Sequence, residues 1–177
     1  MKHILSLLAG TCLLAFASVR AAEPIHVTIK TGATTIEGEL EDGTIEGLAY
    51  QHEIVTPYDA ATGASTGRRQ HKPLTLVKPI DKATPLIYKA LAQNSKCDEV
   101  ILRFWRKDPK SEKATQYYTI TLKDAFVRNV RGWKPNTRDL SADRAGDLEE
   151  VTFVYKAIEW TYTEGGTTED TWSNSST

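Results

Sequence analysis

Residues 66–81, TGRRQHKPLTLVKPID, place Arg68, Arg69, His71 and Lys72 within five consecutive positions, just ahead of an apolar run. Guanidinium, imidazolium and ammonium groups at that spacing suit recognition of phosphates or carboxylates. Two readings follow: a site for nucleic acid or an acidic ligand, or the charged end of a loop where it enters a strand. Elsewhere the chemistry is sparse. His26, His52 and His71 are far apart, with none of the close His/Cys or His/Glu pairs that metal sites use. There is no G-x-S-x-G elbow, Walker loop or G-x-G-x-x-G, and Gly63 and Gly67 introduce no phosphate-binding helix. Asp98, Glu99, Glu149 and Glu150 are the kind of acids any β domain scatters at strand ends, so they define no glycosidase pair. Trp105, Trp133, Trp160 and Trp172 suit a sugar-binding face or, more commonly, core and interface anchoring. The sequence therefore gives no catalytic centre, no metal site and no cofactor.

The elements that must position these groups are mostly strands, because period-2 patterns separated by Gly, Asp and Asn dominate the chain. Ile25, Val27 and Ile29 alternate with polar residues. A short strand over 35–40 and a longer one over 44–55 follow, punctuated by Thr31-Gly32 and Asp42-Gly43. Later strands are expected over 99–105, 116–122, 125–130 and 149–162, each rich in β-branched and aromatic residues. In the last of these Val151, Phe153 and Tyr155 share one face, whereas Ile158, Trp160 and Tyr162 share the other. A strand changes its buried side only through a bulge or by passing from one packed surface to another, so near Lys156 a long strand is expected to bend around a barrel or to run out into a subunit contact. The segment 81–94 instead has helical periodicity: Thr84 is a candidate cap, Pro85 fits the first helical position, Leu86, Ile87, Ala90 and Leu91 form the apolar stripe, and Asn94 ends it. Two stretches read as irregular, 56–73 and 132–147. Loops of that length in a compact domain usually make contacts.

Met1-Lys2-His3 followed by ILSLLAGTCLLAFASV reads as a secretory signal peptide over 1–21, too short for a comfortable membrane span. Val19 and Ala21 place the cut between Ala21 and Ala22. A lipoprotein processed at Cys12 is disfavoured because Thr11 precedes it where a Gly, Ala or Ser is wanted. The remainder, 22–177, is one domain's length. With Lys2 and Arg20 removed it holds 20 basic and 23 acidic residues, a net −3, the opposite of a nucleic-acid binder's balance. Cys97 alone remains, so no intramolecular disulfide can form. Stability then depends on packing or oligomerisation.

From Ile45 onward the sequence resembles the Hcp family, the haemolysin-coregulated proteins of type VI secretion systems, and the likeness extends over roughly 25–172. It rests on Thr62-Gly63 with Thr66-Gly67-Arg68-Arg69-Gln70-His71-Lys72-Pro73, on Asp81 with Thr84-Pro85 and Tyr88-Lys89-Ala90, and on Leu148-Glu149-Glu150-Val151 through Tyr155-Lys156-Ala157-Ile158-Glu159-Trp160-Thr161-Tyr162 to Asp170-Thr171-Trp172. The resemblance implies a mainly β fold, two packed β-sheets forming a small barrel with one flanking α-helix and an extended inter-subunit loop. It implies no enzyme and no cofactor, but a homohexameric ring whose copies stack into an exported tube, with a spike protein, a sheath and effector cargo as partners. By position Asp59 to Lys72 would be the extended loop, making Asp59, Arg68, Arg69, His71 and Lys72 the inter-subunit contact candidates. Nucleic acid is not an expected partner, nor is a membrane once the leader is removed.

The leader is the departure from the family, whose members act from the cytoplasm and leave through the apparatus itself. A secreted or periplasmic location follows from it. It implies a diverged paralogue working outside the cytoplasm, an unused leader, or a start codon placed too early; the residues favour the first. The alternative function is an exported β domain that binds carbohydrate or another protein.

Overall fold

The computed structural model describes residues 23–108, 111, 113–134, 136, 138 and 146–171. The signal-peptide reading, Trp172 and most of the 132–147 stretch lie outside the described residues. In chain order the elements are β1 (Ile25–Thr31), β2 (Thr34–Ile36), β3 (Ile45–Gly47), β4 (Ala49–Gln51), β5 (Ile54–Val55), β6 (Gln70–His71), β7 (Leu74–Pro79), α1 (Thr84–Ala92), β8 (Lys96–Lys107), β9 (Ala114–Trp133), β10 (Leu148–Val154), β11 (Ala157–Tyr162) and β12 (Gly166–Thr171). The fold is mainly β, antiparallel throughout its ladders, with one helix among the described residues.

The hydrogen-bonded path runs β2-β1-β8-β9-β10-β7-β4, with β11 and β12 branching from β9. Strand β9 explains why the two expected layers are joined. It is 20 residues long, and on one edge it pairs with β11 through Tyr118–Lys123 and then with β10 through Phe126–Trp133. The segments 116–122 and 125–130 are thus one strand. The 45–51 segment pairs with β1 in its first half and with β7 in its second. The inner faces of β1, β3, β7, β8, β9, β10 and β11 supply one continuous core with Ile87 and Ala90 of α1.

The expected change of buried face is present, and it is shared. Buried side chains in β8 are Cys97, then Val100 and Leu102; in β9 they are Ile120 and Leu122, then Ala125 and Val127; across β10 and β11 the buried apolar ones are Val151, Phe153, Tyr155 and Ala157, then Ile158. The parity change falls at one level, since Cys97 pairs with Ala125, Val100 with Leu122, and Ile158 with Leu122. At that crease Asp124 has a φ of 49°, and Tyr155 and Lys156 separate β10 from β11 along the edge of β9. Its outward side carries ion pairs, Lys96 to Asp98 at 2.8 Å and to Asp124 at 3.1 Å, and Lys123 to Glu159 at 3.0 Å. Being exposed, they add little to stability.

Helix α1 differs from its sequence reading in two places. Thr84 is its first residue rather than its cap, because the Thr84 hydroxyl is drawn inward, donating to Glu149 Oε1 at 2.9 Å. The N-cap position is Ala83, which has no side-chain cap bond; just ahead of the helix Asp81 Oδ1 accepts from Ala83 N–H at 3.0 Å. Leu86 is exposed, so the buried stripe is carried by Ile87 and Ala90 with Leu91 half-buried. Asn94 does end the helix: at a φ of 49° it lets Ser95 N–H reach Ala90 O and its own N–H reach Leu91 O, a Schellman closure.

The helix start sits on a buried cation. Lys78 is 0 % exposed, and its ammonium donates to Asp81 Oδ1 at 2.7 Å, Glu149 Oε1 at 2.8 Å, Pro79 O at 2.6 Å and Thr84 Oγ1 at 3.3 Å. Glu149 is also fully buried. This cluster fastens β7, β10 and the entry to α1 together. Removing one member leaves an uncompensated buried charge. Lys78→Met is therefore expected to cost about 3–5 kcal/mol by urea denaturation. Lys78→Met with Glu149→Leu should lose less than Lys78→Met alone.

Candidate functional site

The 54–72 segment builds an arm. Its base is the two-stranded ladder of β5 and β6, with Ile54 opposite His71 and Val55 opposite Gln70. Further out, Tyr58 bridges Ser65, and Thr66 N–H donates to Pro57 O at 2.9 Å. Every residue from 58 to 70 is exposed, and Tyr58 reaches 68 %. Hydrogen bonds along the arm, rather than apolar burial, keep its shape.

The tip is made by Asp59. Its Oδ1 accepts from Ala61 N–H at 3.0 Å, Thr62 N–H at 2.8 Å and the Thr62 hydroxyl at 2.9 Å. Gly63, at a φ of +71°, completes the turn by donating to Asp59 O at 2.8 Å. Thr62 N–H, the Thr62 hydroxyl and Ala61 N–H hold this carboxyl below the usual carboxylate range. Asp59 therefore shapes the turn with its side chain.

The four basic candidates divide into two pairs. Arg68 and Lys72 are exposed, and among the described residues neither has an ion-pair partner; the Lys72 ammonium donates to Gln70 Oε1 at 3.1 Å and its backbone N–H to Glu53 O at 2.9 Å. Arg69 and His71 instead turn to Asp170 on β12. Arg69 Nη2 lies 2.6 Å from Asp170 Oδ1, and His71 Nε2 lies 3.1 Å from Asp170 Oδ2. His71 is only 3 % exposed. Its other ring nitrogen, Nδ1, lies 3.2 Å from the Tyr155 hydroxyl, which His52 Nε2 approaches to 2.6 Å.

The arm base is thus a chain of polar groups, His52, Tyr155, His71, Asp170 and Arg69. Burial and the neighbouring Asp170 charge raise the Tyr155 phenol above its ordinary range. Burial, and then the nearby His71, lower the His52 imidazole. Neither Tyr155 nor Asp170 stands out locally: Asp170 is 101 positions from Arg69. Both stand among the residues that carry the family resemblance, and the face change that follows Tyr155 places that residue at the crease.

The remaining chemistry-bearing residues stay apart. Burial, and then Asp98, push the Cys97 thiol up to about 11, which makes it a poor nucleophile. No cluster of three or more potential metal-ligating side chains occurs among the described residues. Trp160 packs half-buried against the core, and Trp105 is tilted against His26 with ring centroids 5.5 Å apart. Neither presents an open platform to a sugar. Glu149 belongs to the Lys78 cluster, whereas Glu150 pairs outward with Arg131 at 3.2 Å.

Comparison with known proteins gives a consistent picture. The family model described as "Type VI secretion system effector, Hcp" matches residues 26–162. A "Major exported protein" of Pseudomonas aeruginosa is 34 % identical over 144 residues, covering 80 % of this chain and 81 % of its own length. Among solved structures, one titled "Crystal structure of Hcp protein" superposes with a TM-score of 0.78 at 24 % identity, over 85 % of this chain and 98 % of its own. A double mutant of the Hcp1 protein from the E. coli EAEC 042 pathovar gives 0.74 at 27 % identity, over 85 % and 99 %. The secreted protein Hcp3 from Pseudomonas aeruginosa gives 0.68 at 23 % identity, over 84 % and 97 %.

Asp170→Asn keeps the shape of the arm base but removes the charge that both Arg69 and His71 face. It is expected to cost about 1–3 kcal/mol in urea denaturation at pH 7. Arg68→Ala, which removes no contact among the described residues, should leave the same curve unchanged.

Proposed function

The chain belongs to the Hcp family of type VI secretion proteins, and on that basis we propose that it is a ring-forming subunit, six copies closing into a ring and rings stacking into a tube. The family is structural and secreted, and it is not a family of enzymes. The observation that carries the reading for this chain is the arm. Residues 58–70 are exposed throughout, yet the arm is held at its base by Asp170 and Tyr155. An ordered projection with so little burial of its own is suited to burying surface on another copy. Arg68 and Lys72 are the outward charges on its return strand and would pair with acids of a neighbour. A spike protein, a sheath and effector cargo are proposed as partners on the strength of the family alone.

The leader is part of the proposal. Residues 1–21 would direct export through the general pathway, with the cut between Ala21 and Ala22, so that the domain 22–177 assembles in the periplasm or outside the cell. A periplasmic sugar-binding domain is the other class of function. Half-buried Trp105 and Trp160 do not favour it.

The purified 22–177 domain is expected to give a hexamer-sized species by native mass measurement and rings by negative-stain microscopy; a strictly monomeric protein at high concentration would overturn the reading. Arg68→Glu with Lys72→Glu should weaken association between copies and make it less sensitive to salt, while urea stability stays within about 0.5 kcal/mol of the parent. Sequencing the N-terminus of protein recovered from the native host should begin at Ala22. An intact Met1 would show that the leader is not removed.

A further inference from the structure

The His52–Tyr155–His71–Asp170 chain has a property that follows from counting its protons. One phenol hydroxyl lies between two imidazole nitrogens, His52 Nε2 at 2.6 Å and His71 Nδ1 at 3.2 Å. A phenol has one hydrogen to donate and an oxygen that accepts. With both imidazoles neutral, each contact along the chain has one donor and one acceptor when His52 Nε2–H donates to Tyr155, the Tyr155 hydroxyl donates to His71 Nδ1, and His71 Nε2–H faces Asp170. One extra proton is accommodated by reversing the hydroxyl and moving the hydrogen of the neutral His52 ring from Nε2 to Nδ1. His71 then donates from Nδ1 to Tyr155 and from Nε2 toward Asp170, while Tyr155 donates to His52. A second proton has no such arrangement. Both imidazolium groups would point hydrogens at the same oxygen, the Tyr155 hydrogen would lose its acceptor, and two cations would meet at the crease.

We infer that this chain is a proton-operated latch for the arm, closed with zero or one added proton and opened by the second. The groups that bear on it come from each element around it. Tyr155 lies at the β10–β11 crease, Asp170 is on β12, Arg69 and His71 are at the arm base, and His52 lies between β4 and β5 with Trp160 of β11 beside its ring at 6.3 Å. Arg69 already takes one oxygen of Asp170, so that carboxylate is not free to offset two imidazolium charges. Lys72 turns to Gln70 and Lys123 to Glu159 and Glu169, so neither joins the cluster. Opening releases the 54–72 segment, whose other ties are mostly its own.

The sign follows from His52. Its proton affinity in the folded chain lies below the ordinary value of 6.5, through burial and then through His71. The open arm therefore binds the second proton more readily than the closed one. Closure is fully retained above about 6.5 and is lost as the pH falls below it.

The test is amide hydrogen exchange on the purified chain between pH 7.5 and 5, corrected for intrinsic rates. Protection over 54–72 is expected to fall by up to about tenfold per pH unit at the acid end, while the β8 and β9 amides keep theirs. His52→Gln can donate to or accept from Tyr155 but cannot take up charge, so its arm should stay protected down to pH 5. Tyr155→Phe should leave the arm open at every pH; its near-UV circular dichroism and urea curve report whether the core is intact. Arm protection that does not change with pH in the parent chain, or that falls in His52→Gln as it does in the parent, overturns the inference. This holds whether the chain is monomeric or ring-forming, because the readout is local to the arm.

Discussion

A strand shows alternate residues to opposite faces, so it cannot change its buried side without breaking its rhythm. Three adjacent strands break it here at a single level, marked by the step from Cys97 to Val100, by Asp124 at a left-handed φ, and by the gap at Tyr155 and Lys156. A lone bulge would leave neighbouring strands with opposed faces. In step, the three keep their registers and turn the sheet as a unit. Strand β9 can then serve β11 on one side of the crease and β10 on the other. The single core, and the position of Tyr155 at the foot of the arm, both follow from that shared break.

Two polar clusters complete what apolar packing leaves undone, in different ways. Around Lys78 the ammonium has four acceptors within hydrogen-bond distance and no exposed surface. It acts as a fixed joint between the sheet and the helix start. At the arm base Tyr155 and His71 are buried while His52 and Asp170 are half-buried, and the shared hydroxyl of Tyr155 has more than one orientation compatible with its neighbours. Stability resides in the first cluster and adjustability in the second.

The sequence made the fold class legible because alternation survives in β1, β7 and β10, and because the apolar face visibly changes after Tyr155. The helix end at Asn94 was legible for the same local reason. Its start was not: Thr84 has the right type and place for a cap, but the buried carboxylate of Glu149 competes for its hydroxyl across 65 positions. The basic cluster misled in a similar way. Arg68 and Arg69 are adjacent and identical, yet one points outward and the other is held by a carboxylate far along the chain. Type and spacing report what a side chain can do, whereas the tertiary partner decides which of those things it does. Asp59 shows the converse, since its turn-forming bonds are all local and were open to a reading based on Thr62 and Gly63.

One consequence of the arm concerns change over time rather than mechanism. Its outer residues bury almost nothing, so substitutions there are nearly invisible to folding, whereas each partner of Lys78 is tied to the others and must vary with them. A population of such chains could drift freely in which neighbours it accepts while its architecture stays fixed. The domain then resembles a coupling with a standard body and an exchangeable connector, in which new assemblies arise by rewriting a surface turn.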